Sequence, residues 1–260
     1  MEQKKESEWK IIPASEKQPW QDIIDILSIK TTPFIIGVSG AVASGKSTFA
    51  TKLKQELEKK YPLKKIEVVS ADNFLKSNAE LEEKGLMEQK GFPVSFNWNA
   101  LANFFEAVKN HYPNIPYRIY SHELSDLVPN QVEVLEQVDI LIIEGIYLLE
   151  DAPGETVSPR KYINFNFYLD TSEENLYCWY LERFHKMMDL NYNNPGNFFY
   201  SWAHRPRQEA DKFAEEVWKK VNLKNLHSYI APTKKRADVI VKKEKNHQIK
   251  EIMIKRKEEK

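Results

Sequence analysis

The sequence predicts an α/β protein, a three-layer αβα sandwich on a mostly parallel central sheet. Two observations carry this expectation. Short, nearly unbroken apolar runs (34–38, 66–69 and 138–143) alternate with segments of helical period, the pattern of strands covered on both faces by helices. The first run leads straight into Ser-Gly-Ala-Val-Ala-Ser-Gly-Lys-Ser-Thr (39–48), a complete G-x-x-x-x-G-K-[ST] phosphate-binding loop followed by a helix-like stretch. Such a loop wraps backbone N–H groups around phosphates at a helix N-terminus, where the dipole favours negative charge. The expected fold is therefore P-loop NTPase-like.

Taken in order, residues 1–10 are polar and read as a frayed tail, and Pro19-Trp20 followed by Asp22–Leu27 reads as a short helix ending before Thr31-Thr32-Pro33. A helix is expected over Lys46–Lys60, then a strand at Ile66–Val69 and a polar loop over 73–98 that holds Gly85, Gly91 and Pro93. Further helices are expected at Ala100–Asn110, Ser172–Met188 and Gln208–Val221, with strands at Val138–Ile143, Phe165–Leu169 and Ala237–Val241. Residues 189–207 combine Asn191, Asn193, Asn194, Pro195 and Gly196 with His204-Arg205-Pro206-Arg207, which makes them the candidate for a mobile, phosphate-capping lid. Lys242-Lys243-Glu244-Lys245 reads as a solvated run. The organisation expected is a tail and short helix over 1–32 and one domain over 33–260, with an insertion at about 73–130 and the lid at about 185–210.

Composition narrows the function classes. Lys+Arg and Asp+Glu both number 38, so no bulk basic field exists to recruit nucleic acid. Cys178 is the single cysteine, which excludes an internal disulfide framework and a multi-cysteine zinc site. No apolar run approaches a membrane span and the N-terminus lacks a signal h-region, so the expected home is the cytoplasm.

Phosphoryl transfer needs positioning and charge stabilisation more than covalent chemistry. Backbone groups of Gly40, Ala41, Val42, Ala43, Ser44, Gly45, Lys46, Ser47 and Thr48 would cradle phosphates, with Lys46 reaching the β- and γ-phosphates and the Ser47 hydroxyl on Mg²⁺. Asp72 and Glu144 each follow the C-terminal end of a predicted strand, the edge where a parallel sheet binds its ligands. Asp72 reads either as a helix N-cap or Asx-turn residue or as the group that accepts a substrate proton. Glu144 ends a run that would otherwise be fully apolar, where a carboxylate costs several kcal/mol unless a metal or hydroxyl partners it. Asp139 stands at the opposite end of that strand and reads as structural.

Beyond the loop, Gly-Leu-Met-Glu-Gln-Lys-Gly-Phe-Pro (85–93), Tyr-Ser-His (120–122), Ile-Leu-Ile-Ile-Glu-Gly (140–145) and Trp-Tyr-Leu-Glu-Arg-Phe (179–184) occur in that order. Ile-Ala-Pro-Thr-Lys-Lys-Arg-Ala-Asp (230–238) and Asn246-His247 extend the series. Together they resemble the prokaryotic type I pantothenate kinases from about residue 33 onward. The resemblance implies ATP- and Mg²⁺-dependent phosphorylation of pantothenate to 4′-phosphopantothenate, the first step toward coenzyme A. It implies Asp72 as base, Lys46 and Ser47 for phosphates and metal, and Tyr120, His122, Tyr180 and Arg183 around pantothenate; the metal role of Glu144 rests on its place at the strand end. Lys90 would approach the phosphates or the acceptor, and Asn246 and His247 would lie near the adenine.

It also implies a homodimer through the long helix beside the loop, and coenzyme A as feedback inhibitor. Three departures stand out. The chain has only about 30 residues before the first predicted strand, where the family carries a longer extension. Tyr229 stands where the resemblance expects a substrate-binding asparagine, and Thr51 stands where a basic residue that helps bind coenzyme A is usual. Two rival readings are a uridine kinase-like enzyme for another small alcohol and a nucleotide-binding regulator without turnover. Intact Lys46, Ser47, Asp72 and Glu144 argue against the regulator.

Overall fold

The computed structural model describes residues 8–14, 18–154 and 157–256. Its strands are β1 (Trp9–Pro13), β2 (Phe34–Gly40), β3 (Ile66–Ser70), β4 (Ile115–Ser121), β5 (Asp126–Leu135), β6 (Ile140–Glu144), β7 (Phe165–Asp170), β8 (Val239–Lys243) and β9 (Ile249–Lys255). Seven form one sheet in the order β1-β9-β8-β7-β2-β6-β3, and β4 and β5 pair as a separate ribbon. β2 lies parallel to both β6 and β7, with β3 and β8 parallel outside them, while β9 and β1 run antiparallel at one edge. The predicted mostly parallel sheet is thus present, and each predicted strand falls within two residues of an observed one at its start.

Alternation along the central strands sends side chains to two cores. Ile36, Val38, Ile140, Ile142, Phe167 and Val239 pack with Phe49, Leu53 and Leu57 of α2 (Lys46–Lys60) and Ile23 and Ile24 of α1 (Pro19–Ile26). On the other face Ile35, Leu141, Ile143, Tyr168 and Ile240 pack with Leu101, Phe104 and Phe105 of α4 (Trp98–Lys109), which follows the short α3 (Asn78–Glu83). The fully buried Ile and Phe side chains at these positions each contribute roughly 1.5–3 kcal/mol, which explains why the runs are so uniformly apolar.

The remaining helices are α5 (Glu173–Leu190), α6 (Tyr200–Ala203) and α7 (Arg207–Val217). The last α-helix predicted, reaching Val221, instead gives way at Trp218 to two wide π-helical turns over Trp218–Leu223 and Leu226–Ile230. Among the described residues no helix is long and apolar enough to cross a membrane.

Four strands are unannounced by periodicity. β1 contradicts the expected frayed tail at Trp9 and Lys10, which pair with Lys255 and Ile254 of β9; residues 1–7 of that tail lie outside the described residues. β1 and β9 interleave lysine with isoleucine, and β4 and β5 carry Pro116 and Pro129, so neither shows the buried-strand signature. Their order comes from pairing with distant partners.

Candidate active site

The loop between β2 and α2 owes its shape to residues with left-handed backbone, Ala43 at φ 64° and Gly45 at φ 82°. A side chain at Gly45 would also meet the Lys243 ammonium at 2.7 Å. Ser44 Oγ is buried inside the loop with no hydrogen-bond partner among the described residues, and Lys46 Nζ donates to the Ala41 carbonyl at 2.9 Å. A turn of donors around an open concavity fits a polyphosphate.

Both strand-end carboxylates reach this loop. Glu144, 7% exposed, accepts a hydrogen bond from Ser47 Oγ at 2.9 Å, the P-loop hydroxyl its burial calls for. Asp72 lies in a 3₁₀ turn over Ala71–Phe74 whose cap is Ser70, the acceptor of the Asp72 N–H at 3.3 Å. The capping role open to Asp72 from sequence therefore belongs to Ser70. Asn73 Oδ1 is engaged by the Tyr120 N–H at 2.8 Å, which ties the β4–β5 ribbon to this turn. The close seat of the turn depends on Gly145, where a Cβ would lie 2.6 Å from that of Ala71. Asp139, as expected, serves the far end of β6: it accepts from the Lys65 N–H at 2.9 Å and faces Lys64.

Two clefts converge here. A cavity of about 320 Å³ has Lys46, Ser47, Asp72 and Glu144 at its base, and Tyr120, His122, Tyr180 and Arg183 also line it, as do Val42 and Ala43. A larger cleft of about 1560 Å³ runs from Gly45, Lys46 and Thr48 to Trp179, Lys243 and His247. Lys46, Ser47, His122 and Arg183 line both. In the larger cleft His247 stacks on Trp179 with ring centroids 4.0 Å apart. Asn246 is exposed, takes up the Gln248 N–H at 3.1 Å and lines a neighbouring groove instead.

Electrostatics follow from the enclosure. Burial pushes the Asp72 carboxyl above the usual carboxylate range, an effect that Lys46 and Arg183 partly oppose. Burial lowers the Lys46 ammonium, with Glu144 and Asp72 holding it up and Arg183 pressing it down. His122 opens to the cleft, yet desolvation and then Arg183 push it down to about 4, so its imidazole is neutral at pH 7. Burial raises the Tyr120 phenol, and raises that of Tyr180 to about 12, so both stay hydrogen-bond donors.

Several predicted residues stand elsewhere. Lys90 does not line the cavity; it donates to Asn78 Oδ1 at 2.7 Å and to the carbonyl of the cavity-lining Ser125, joining α3 to the ribbon turn. Tyr229 is 36% exposed and meets Phe92 and Tyr147 edge-on, outside the cavity lining. An amide does line the cavity, that of Asn222 from the first π-helical turn, seven residues before Tyr229. A lone Asn in an amphipathic stretch gave no signal for this.

The 189–207 segment presents aromatic side chains to the cavity. Its arginines face outward, Arg205 over Trp202 and Arg207 toward Asp189, while Phe198 and Phe199 line the cavity beside Phe184 and Phe213. Asn191 and Asn197 are buried and bonded to each other at 2.9 Å, which anchors the turn. Lys243 departs as well: the run read as solvated sends this side chain to the Ser44 carbonyl at 3.0 Å.

The pair Ser47 and Glu144 suits a hard cation that takes few protein ligands, keeps its waters and binds substrate phosphates, as Mg²⁺ does. Among the described residues no group of three His, Cys, Asp or Glu side chains is placed to hold a metal by itself.

Comparison with known proteins gives the family and the fold. Residues 35–187 match the phosphoribulokinase/uridine kinase family. The chain is 40% identical over 236 residues to a pantothenate kinase of Ligilactobacillus salivarius, covering 89% of this chain and 76% of that protein. It is 40% identical over 227 residues to one of Streptococcus pneumoniae strain 70585, covering 87% and 74%. In structure it is similar to a kinase provisionally assigned to fructose transport in Silicibacter sp. TM1040 (TM-score 0.60, 24% identity, 84% of this chain and 92% of that one). It is also similar to phosphoribulokinase from Rhodobacter spheroides (TM-score 0.50, 13% identity, 83% and 71%). These two likenesses support the fold.

Proposed function

The chain belongs to the phosphoribulokinase/uridine kinase family and, within it, to the pantothenate kinases, and on that premise we propose how its residues phosphorylate pantothenate with ATP. The product is 4′-phosphopantothenate, which opens coenzyme A synthesis. The observation that carries the residue assignment is the meeting of the two clefts at Lys46, with Asp72 facing the smaller one.

The larger cleft takes ATP, its phosphates in the 40–48 loop and its base beside the Trp179–His247 stack. The cavity takes pantothenate: Arg183 suits its carboxylate, Tyr120, Tyr180, His122 and Asn222 its amide and hydroxyls, and Phe198 and Phe199 its gem-dimethyl group. Asp72 then accepts the proton of the primary hydroxyl as that oxygen bonds to the γ-phosphorus and the bond to the ADP oxygen breaks. Its raised affinity for protons, set by burial, suits a general base working near neutrality. Lys46 holds positive charge where the γ-phosphoryl passes between the clefts. Ser47 and Glu144 would hold Mg²⁺, which when bound neutralises phosphate charge. Neutral His122 orients the acceptor without adding a cation that would bind it through charge alone.

The test is ADP release from purified protein with ATP and Mg²⁺ across pantothenate, uridine, cytidine and glycerate. Pantothenate-dependent turnover is expected, and its absence would sink the proposal. Asp72→Asn should then lower kcat by about 10²-fold or more with ATP affinity largely intact; equal losses in both would make Asp72 a nucleotide or folding residue. A homodimer through α2 is part of the same proposal, and a monomeric mass in solution would remove it.

A further inference from the structure

Lys243 lines the cleft and belongs neither to the P-loop motif nor to the acceptor site. It ends β8, two strands away from the loop, and its own carbonyl is held by Thr171 Oγ1 at 2.9 Å. From there the side chain crosses to the loop, where Nζ donates to the Ser44 carbonyl at 3.0 Å and lies 5.3 Å from the centroid of the Trp179 ring. The ammonium sits so close to the Gly45 backbone that a Cβ there would lie 2.7 Å from it. Among the described residues it has no carboxylate within ion-pair distance, although Lys234, Lys242 and Lys250 nearby are paired with Asp170, Glu251 and Glu244.

A half-enclosed cation without a counter-ion is costly, and this one is aimed at the concavity shaped for phosphate. We propose that Lys243 is a second phosphate-binding lysine, engaging the nucleotide's diphosphate from the side of the loop opposite the acceptor. Lys46 lies where the two clefts meet and handles the transferred group. Lys243 does not line the acceptor cavity; it lies between the loop and the Trp179–His247 stack, and so holds the part of the nucleotide that stays behind as ADP. The Ser44 carbonyl and the Trp179 ring face keep it in place. This rests on the nucleotide half of the reading above and not on the identity of the acceptor.

Binding of ADP, AMP and adenosine, measured by calorimetry without any acceptor, tests it in the wild type, Lys243→Gln and Lys243→Arg. Lys243→Gln should weaken ADP by about 10- to 100-fold, the range of a charge-assisted hydrogen bond, and leave adenosine within about twofold. Lys243→Arg should recover most of the ADP loss, and added salt should narrow the gap between wild type and Lys243→Gln. Equal weakening of adenosine and ADP would make Lys243 a support for the base stack and overturn the proposal, as would unchanged ADP binding. Should Lys243→Gln fail to fold, Lys243→Arg decides with the kinetic readout: a KM for ATP far above wild type at unchanged thermal stability would contradict a charge role. A wild type that binds no ADP would instead refute the nucleotide reading itself.

Discussion

Gly145→Ala is a one-methyl perturbation between the two acidic residues of the site. Gly145 has an ordinary backbone conformation, so alanine meets no conformational penalty there and the effect is purely one of space. The added Cβ would stand 2.6 Å from the Cβ of Ala71, about 1 Å inside the ordinary carbon–carbon contact. Ala71 is 1% exposed and cannot swing aside. It precedes Asp72, and Gly145 follows Glu144, so relief of the clash parts the segments that carry the two carboxylates. Overpacking of this kind costs about 1–3 kcal/mol, which for a chain this size lowers Tm by about 2–12 °C. A base displaced by about 1 Å loses about 10²-fold in rate, whereas neither Gly145 nor Ala71 belongs to the loop around Lys46, whose own backbone shapes the phosphate cradle. The expected result is a large fall in kcat with the KM for ATP within about twofold of wild type. Steady-state ADP release and thermal melts measure both. The control is Gly145→Ala with Ala71→Gly: the nearest remaining atom of residue 71 is then its Cα at 3.8 Å, an ordinary contact, and kcat should return. A double variant no better than the single, or a single variant with wild-type kcat and Tm, would refute the account of how the carboxylates are spaced.

Arg183→Met should raise the KM for pantothenate by roughly 10- to 100-fold through loss of a charge-assisted contact. It should also change the pH profile. Arg183 holds down the Asp72 carboxyl, so its loss lets that group bind protons more tightly. Since the base must be deprotonated, the acid limb of kcat moves to higher pH; a limb that stays put or moves to lower pH would contradict the pairing. Thr51, exposed on α2 beside the loop, should weaken inhibition by coenzyme A relative to Thr51→Arg; identical inhibition curves for the two proteins would remove that inference.

Much of the site was legible because its parts are local. A phosphate loop is contiguous in sequence, a strand buried on both faces is apolar without interruption, and a carboxylate at the end of such a strand stands out against it. Those three signals located Lys46, Ser47, Asp72 and Glu144. The edge strands β1 and β9 and the β4–β5 ribbon left no such trace, since their order depends on partners far along the chain rather than on their own composition.

Sequence alone thus determined the nucleotide loop, the parallel core and the two carboxylates, because each follows from short-range patterning. Only the tertiary structure decided what surrounds them. It placed Asn222 in the cavity and Tyr229 outside it, bound Lys90 to the ribbon, brought Phe198 and Phe199 to the cavity wall, and carried Lys243 across to the loop. Each of these depends on how separate elements pack, and a side chain's direction is set by the turn that carries it and the neighbours it meets.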